Sequence, residues 1–318
     1  MKNKCLYCYE ELKNGGDFHE KCSLAFFGQK EAPQLPYGLD EMAELAKSVV
    51  ERSITVPGVQ PKLSMSLINE TSELLHSRLT IVGALGGNYI FKPPSNDFPE
   101  MPSNEHLTMR IAKSFGIQTV PSSLIRLQSG ELSYITKRID RGEKGEKKHM
   151  LDMFQITEAY DKYKSSSEKI GKALGNYSSN TLLDKLFFFE LTLFSFLMGN
   201  NDMHLKNFSM IETGTGWSLA PAYDLLNATI VNPEDKEEMA LTLNGRKNRL
   251  KKIDFETLGD NLELTSKQIQ GVFKRFYKLK STAIKWIDKS FLSNKIKTLY
   301  VEKMEERYHR FFNKSDCV

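Results

Sequence analysis

The sequence predicts an α+β chain that is bilobed: a strand-rich small lobe, then a mainly helical large lobe, with a small cysteine- and histidine-rich segment in front. Two patterns predict it. From Ile54 to Arg138, β-branched and aromatic runs are split by Gly58, Gly83, Gly86 and Gly87, as strands are split by turns. From Leu151 onward apolar residues recur at helical spacing, apart from one hairpin around Gly214. A length of 318 residues with ordinary apolar content accommodates two domains or one bilobed one.

Three of the four cysteines lie at the start, as Cys5-x-x-Cys8 and then His19-x-x-Cys22. Each close pair can reach one metal from a tight turn, and the spacer between them carries Asn14-Gly15-Gly16. Residues 1–32 are therefore expected to form a zinc knuckle, structural because four protein ligands leave no position open for chemistry. An irregular start with incidental thiols is the competing reading. Cys317 is expected to be a free thiol.

Residues 33–50 read as a linker, Pro33-Gln-Leu-Pro-Tyr-Gly38, and a helix from Leu39 to Val50. Residues 51–148 form the small lobe. Ile54–Ile68 suggests two strands around Gly58 and Pro61, and Thr80–Lys92 continues in strand-like runs. Asn104–Gly116 reads as a helix capped by Asn104 and stopped by Gly116. Ile117–Leu127 and Leu132–Arg138 are further strands. Residues 149–318 form the large lobe. Its buried helix, Leu182–Met198, delivers the polar loop Gly199–Phe208, which leads into the strands Phe208–Ile211 and Ser218–Ala220. Residues 256–314 read as three lysine-rich amphipathic helices.

A net charge of +4 is too small to argue for nucleic acid, and the lysines are spread as on a solvated face. The Leu182–Met198 run is short and carries Asp184, Lys185 and Glu190, so it is not a membrane span. Met1-Lys-Asn-Lys4 runs into a polar, cysteine-rich stretch rather than an apolar leader core. A cytoplasmic protein is expected.

The polar loop carries the chemistry. Asp202 and Asn207 have the Asp-x-x-x-x-Asn spacing of a protein-kinase catalytic loop, in which the Asp accepts the proton of the attacking hydroxyl and the Asn holds magnesium. Asp224 follows where a second metal-binding carboxylate would stand. Asn and Asp also make ordinary turns. A helix, a polar loop, a hairpin and a carboxylate are, however, the order of parts in a kinase large lobe.

The motifs Asn200-x-Asp202-x-His204-x-x-Asn207-Phe208, Pro221-x-Tyr223-Asp224, Val56-Pro-Gly-Val-Gln-Pro-Lys-Leu-Ser64 and Tyr89-Ile-Phe-Lys-Pro-Pro94 together resemble the HipA-like serine/threonine kinases, toxins of bacterial toxin–antitoxin systems. Thr136–Arg141 and Met150–Gln155 are similar to two further blocks of that family. The resemblance covers residues 45–255 and implies a kinase-like fold using ATP and Mg2+. It makes Asp202 the base, Asn207 and Asp224 the magnesium ligands, and Lys92 the phosphate-binding lysine. The phosphate loop would run through Gly58, Val59, Gln60 and Lys62, with Ser53 or Thr55 as the self-inhibitory autophosphorylation site, as in the short members of tripartite HipBST systems. Glu105 either pairs with Lys92 or serves as a first-turn acid of its helix. His204 is read as orienting the loop, Asp152 and Gln155 as adenine-side or hinge contacts, and Arg138, Asp140 and Arg141 as a charge network.

By the same resemblance, the substrate is a protein of the translation machinery such as an aminoacyl-tRNA synthetase. The expected partners are a HipB-like helix-turn-helix antitoxin and/or a separate small protein equivalent to the amino-terminal domain of longer members, the alternative being that the knuckle replaces that domain, with DNA bound only through the antitoxin. The alternatives are a small-molecule kinase on the same fold and a nucleic-acid-binding module using the knuckle and the basic helices.

Overall fold

The computed structural model describes residues 3–13, 15–42, 44–45, 62–69, 77–82, 87–94, 97–142 and 145–312. The chain divides into two compact units, Met1–His106 with Val120–Glu146 and Lys289–Phe291, and Leu107–Thr119 with Lys147–Asp288 and Leu292–Val318.

The first unit is built on five antiparallel strands: β1 (Leu63–Asn69), β2 (Ser77–Ile81), β3 (Tyr89–Lys92), β4 (Ser122–Arg126) and β5 (Leu132–Lys137), in the order β2-β1-β3-β5-β4. Alternation along the strands sets its two faces. Leu63, Met65, Leu79, Tyr89, Phe91 and Ile135 share a core with Phe26 and Phe27 of helix α1 (Glu20–Phe27). The neighbour of Phe91, Lys92, projects from the opposite face. Gly87, at φ +79°, makes the approach to β3: a Cβ there would sit 2.6 Å from the Met65 carbonyl oxygen.

Helix α2 spans Met101–Ser114. It starts ahead of the expected cap, because Pro102 is tolerated in a first turn where its missing N–H is not needed. Asn104 is therefore buried inside the helix rather than capping it. Gly116 does stop it, at φ +85°.

In the second unit a sheet of β6 (Met150–Asp152), β7 (Ser209–Thr213) and β8 (Gly216–Leu219) lies among helices. The sequence suggested helix from Leu151; β6 is only a few residues long, and its strand state is fixed by pairing with β7, not by a local pattern. Helices α3 (Met153–Ile156) and α4 (Ser167–Tyr177) follow, then α5 (Thr181–Leu197). The charges within α5 are all paired. Asp184 accepts from the Leu219 amide and Ser178 Oγ, Lys185 meets Glu263, and Glu190 meets Arg275. Its first turn, by contrast, leaves Leu182 and Leu183 exposed.

Helices α6 (Lys252–Asn261), α7 (Ser266–Lys289) and α8 (Asn294–Phe311) complete the chain. Phe196 of α5 packs on Phe255 and Phe311, and Phe311 on Phe273, joining four helices through aromatic contacts. No helix among the described residues is long and apolar enough to cross a membrane.

Candidate active site

In the second unit the polar loop begins where α5 ends. Gly199 has φ +72°, and a Cβ there would stand 2.8 Å from Thr229 Oγ1 and 2.9 Å from Asn227 Oδ1. Only glycine fits this turn. The loop then closes on itself. The Asp202 carbonyl oxygen accepts from the His204 amide at 2.8 Å and from Asn207 Nδ2 at 3.0 Å, and the Asn207 amide donates to the His204 carbonyl at 2.9 Å. The Asp-x-x-x-x-Asn spacing is thus a hydrogen-bonded ring, tightened by a 3-10 turn over Leu205–Asn207. With its amide nitrogen committed to Asp202, Asn207 has its Oδ1 to offer a cation. His204 contributes its backbone to the ring through its amide and its carbonyl.

Asp224 follows β8. Its backbone sits at φ +60°, a left-handed conformation that costs energy for a residue other than glycine and concentrates at functional sites. The two residues before it are anchored. The Ala222 amide donates to the Gln118 carbonyl at 2.8 Å, and Tyr223 Oη lies 2.5 Å from Ser209 Oγ and 2.9 Å from the Lys206 carbonyl oxygen.

One residue of this site escaped the sequence reading. Tyr163 Oη donates to Asp202 Oδ1 at 2.8 Å, and its ring stands edge-on to His204 at 5.1 Å. Burial and then the negative charge of Asp202 push the Tyr163 hydroxyl above its ordinary value, so it stays protonated as a donor. Nothing in the polar stretch around Tyr163 signals this role; the contact spans 39 positions.

In the first unit Lys92 Nζ lies 2.6 Å from Glu105 Oε1, and the two side chains are only 4% and 2% exposed. The Tyr134 ring stands 5.3 Å from the same ammonium. Of the two readings of Glu105, the ion pair is the one formed: α2 has no acid in its first turn. Lys62 is exposed just before β1. Ser53, Thr55, Gly58, Val59 and Gln60 lie outside the described residues.

Asp140 accepts from Arg138 and Arg141, each at 2.6 Å, the charge network the sequence suggested. Asp152 and Gln155 form a reciprocal capping box for α3. At the amino terminus Cys5, Cys8, His19 and Cys22 bring their ligand atoms within 4.8 Å of one another.

The sequence profile of the HipA-like C-terminal domain matches residues 54–283, well over half the chain. The chain belongs to the HipA-like C-terminal domain family. Among relatives of this HipA-like chain, a "putative kinase" of Haemophilus influenzae is 28% identical over 211 residues, covering 62% of this chain and 59% of that protein. "Putative kinase Y4dM" of Sinorhizobium fredii is 33% identical, over 58% of this chain and 48% of its own length. The "serine/threonine-protein kinase toxin HipA" of Shewanella oneidensis is 25% identical, over 58% and 45% respectively. The HipA-like chain thus matches about half the length of these proteins.

Solved structures share the fold. HipA in the Shewanella oneidensis complex of HipA, HipB and operator DNA superposes with a TM-score of 0.67 at 20% identity, covering 84% of this chain and 70% of that one. The Helicobacter pylori proinflammatory kinase CtkA gives 0.52 at 18%, covering 70% and 87%. The fold is therefore α+β and kinase-like, with a strand-rich unit and a mainly helical one.

Proposed function

We propose that this HipA-like chain is an ATP- and Mg2+-dependent serine/threonine protein kinase, the toxin component of a toxin–antitoxin system. The observation that carries the reading is the closed ring of Asp202, His204 and Asn207 beside a tyrosine-held carboxylate. A carboxylate restrained by both its backbone and its side chain is suited to taking the proton of an attacking hydroxyl, since phosphoryl transfer depends on positioning and charge. Asp202 is that base. Lys92, fixed by Glu105, holds the ATP phosphates.

Asn207 and Asp224 offer an amide oxygen and a carboxylate, the hard oxygen donors that suit Mg2+. Bound there, the ion neutralises charge on the phosphates. Ser53 or Thr55 is the autophosphorylation site. A HipB-like helix-turn-helix antitoxin is the partner that the Shewanella complex supports, with DNA reached through it. The family resemblance supports a protein substrate in the translation machinery, such as an aminoacyl-tRNA synthetase.

The test is transfer of labelled γ-phosphate in a bacterial extract by the wild-type chain and by Asp202→Asn. Label entering protein, and only with the wild type, supports the reading. Label entering a metabolite instead favours the small-molecule alternative.

A further inference from the structure

The amino-terminal cluster is built as a metal site. His19 Nδ1 lies 3.4 Å from Cys8 Sγ and 3.9 Å from Cys22 Sγ, and Cys5, Cys8 and Cys22 are free thiols. The backbone is folded around the sulfurs. The Cys5 amide donates to the Glu10 carbonyl at 2.9 Å, the Leu6 amide to the Asp17 carbonyl at 2.8 Å, and the Cys22 amide to the His19 carbonyl at 2.9 Å. His19 Nε2 lies 3.1 Å from the Glu11 carbonyl oxygen, which turns Nδ1 toward the thiols, the outer contact that metal-bound imidazoles make. Sulfur with imidazole selects a soft or borderline ion such as zinc over magnesium or calcium, and four protein ligands make the site structural.

Tyr9 is the residue after Cys8. Its amide donates to the Cys5 carbonyl at 2.9 Å, and its φ is +65°, a left-handed conformation uncommon for an aromatic residue. The buried Tyr9 side chain puts Oη 2.9 Å from His106 Nδ1, with the two rings edge-on at 5.3 Å. His106 is itself fully buried, follows Glu105 directly in α2, and packs near Tyr134, the partner of Lys92 across β3 and β5. A second tie keeps the segment on the sheet: Arg126 of β4 grips the Asp17 carboxylate through Nε and Nη2.

We propose that one zinc ion bound by Cys5, Cys8, His19 and Cys22 fixes the strained turn at Tyr9, and that Tyr9 clamps His106 and so the stretch of α2 that presents Glu105 to Lys92. Tyr9 is a positioning residue. Its consequence for phosphoryl transfer rests on the kinase reading above; the metal and the clamp do not.

The test uses the full chain purified under reducing conditions, with two readouts that need no ATP: metal content, and amide hydrogen exchange over residues 101–110. The wild type is expected to carry about one zinc per chain, and its cobalt-substituted form to show the visible bands of tetrahedral cobalt thiolate. Cys8→Ser with Cys22→Ser should lose the metal, and exchange over 101–110 should quicken by about fivefold or more. Tyr9→Phe should keep the zinc yet show the same quickening, which a purely local knuckle would not produce. If the cysteine variant does not fold, chelator-stripped and zinc-reloaded wild type gives the same comparison.

Wild type without zinc, or with a disulfide among the three cysteines, overturns the proposal. So does unchanged exchange after metal removal or in Tyr9→Phe. A zinc-loaded, clamped chain that transfers no phosphate contradicts the kinase reading and leaves this one standing.

Discussion

Lys92 and Glu105 form an ion pair, 2.6 Å between Nζ and Oε1, with both side chains almost wholly withdrawn from solvent. β3 supplies the ammonium from the sheet face opposite Phe91, and α2 supplies the carboxylate. A buried pair of this kind gives little net stability compared with an apolar replacement, but removing one partner strands the other charge. Lys92→Met should therefore cost about 3–5 kcal/mol of folding stability, and Lys92→Met with Glu105→Leu should recover much of it. Denaturant melts of the two variants check this. ATP binding should be lost in both, because the lysine is gone from each.

Tyr163 should matter to turnover rather than to folding. Its hydrogen bond to Asp202 restrains the carboxylate, and one charge-assisted bond is worth roughly 1.5 kcal/mol, about tenfold in rate. Tyr163→Phe is expected to lower kcat by about that factor with an unchanged melting temperature. A rise in kcat would mean that Tyr163 competes with the substrate hydroxyl for Asp202.

Acid should weaken the first unit through Asp140. Burial alone would raise its carboxyl, yet the hydrogen bond and charge of Arg138 and the charge of Arg141 outweigh it and hold it below the ordinary range. A carboxyl depressed in the folded state contributes stability above the unfolded value of about 3.9, and loses it as pH falls through the folded value. Asp140→Asn should thus be less stable than wild type near neutrality, and the two should converge in acid. Unfolding free energies across that range test it; a gap independent of pH would contradict it.

Regulation by the phosphate loop gives a fourth prediction. Mass spectrometry of the chain incubated with ATP should find phosphate on Ser53 or Thr55. Asp at either position should weaken activity, Thr55→Asp more than Ser53→Asp, since phosphate there adds charge that opposes ATP. Phosphate gained only at a distant site would exclude this mode of control.

Much of this was readable from local pattern. The Asp202–Asn207 spacing is short enough that one loop must close it, and the long α5 announces itself through its apolar run. The cysteine and histidine spacing likewise lies within one turn-rich segment. What the sequence hid was non-local. Tyr163 reaches Asp202 across 39 positions with no periodic signal, and Tyr9 reaches His106 across 97. Asn104 misled because a cap-type residue can sit inside a helix when Pro102 already begins it. Glu105 stayed ambiguous until the start of α2 was fixed, since its role depended on whether it lay in the first turn. β6 was missed because so short a strand exists only through its partner.

The most direct test of the central claim is phosphate transfer by Asp202→Asn and Asp224→Asn beside the wild type, using labelled ATP with Mg2+ and comparing phosphoproteomes of expressing bacteria. Both substitutions change charge in polar loops rather than packing, so folding should be retained, as circular dichroism would verify. The account predicts new phosphoserine or phosphothreonine with the wild type and none above background with either variant. Full turnover by either folded variant would contradict it.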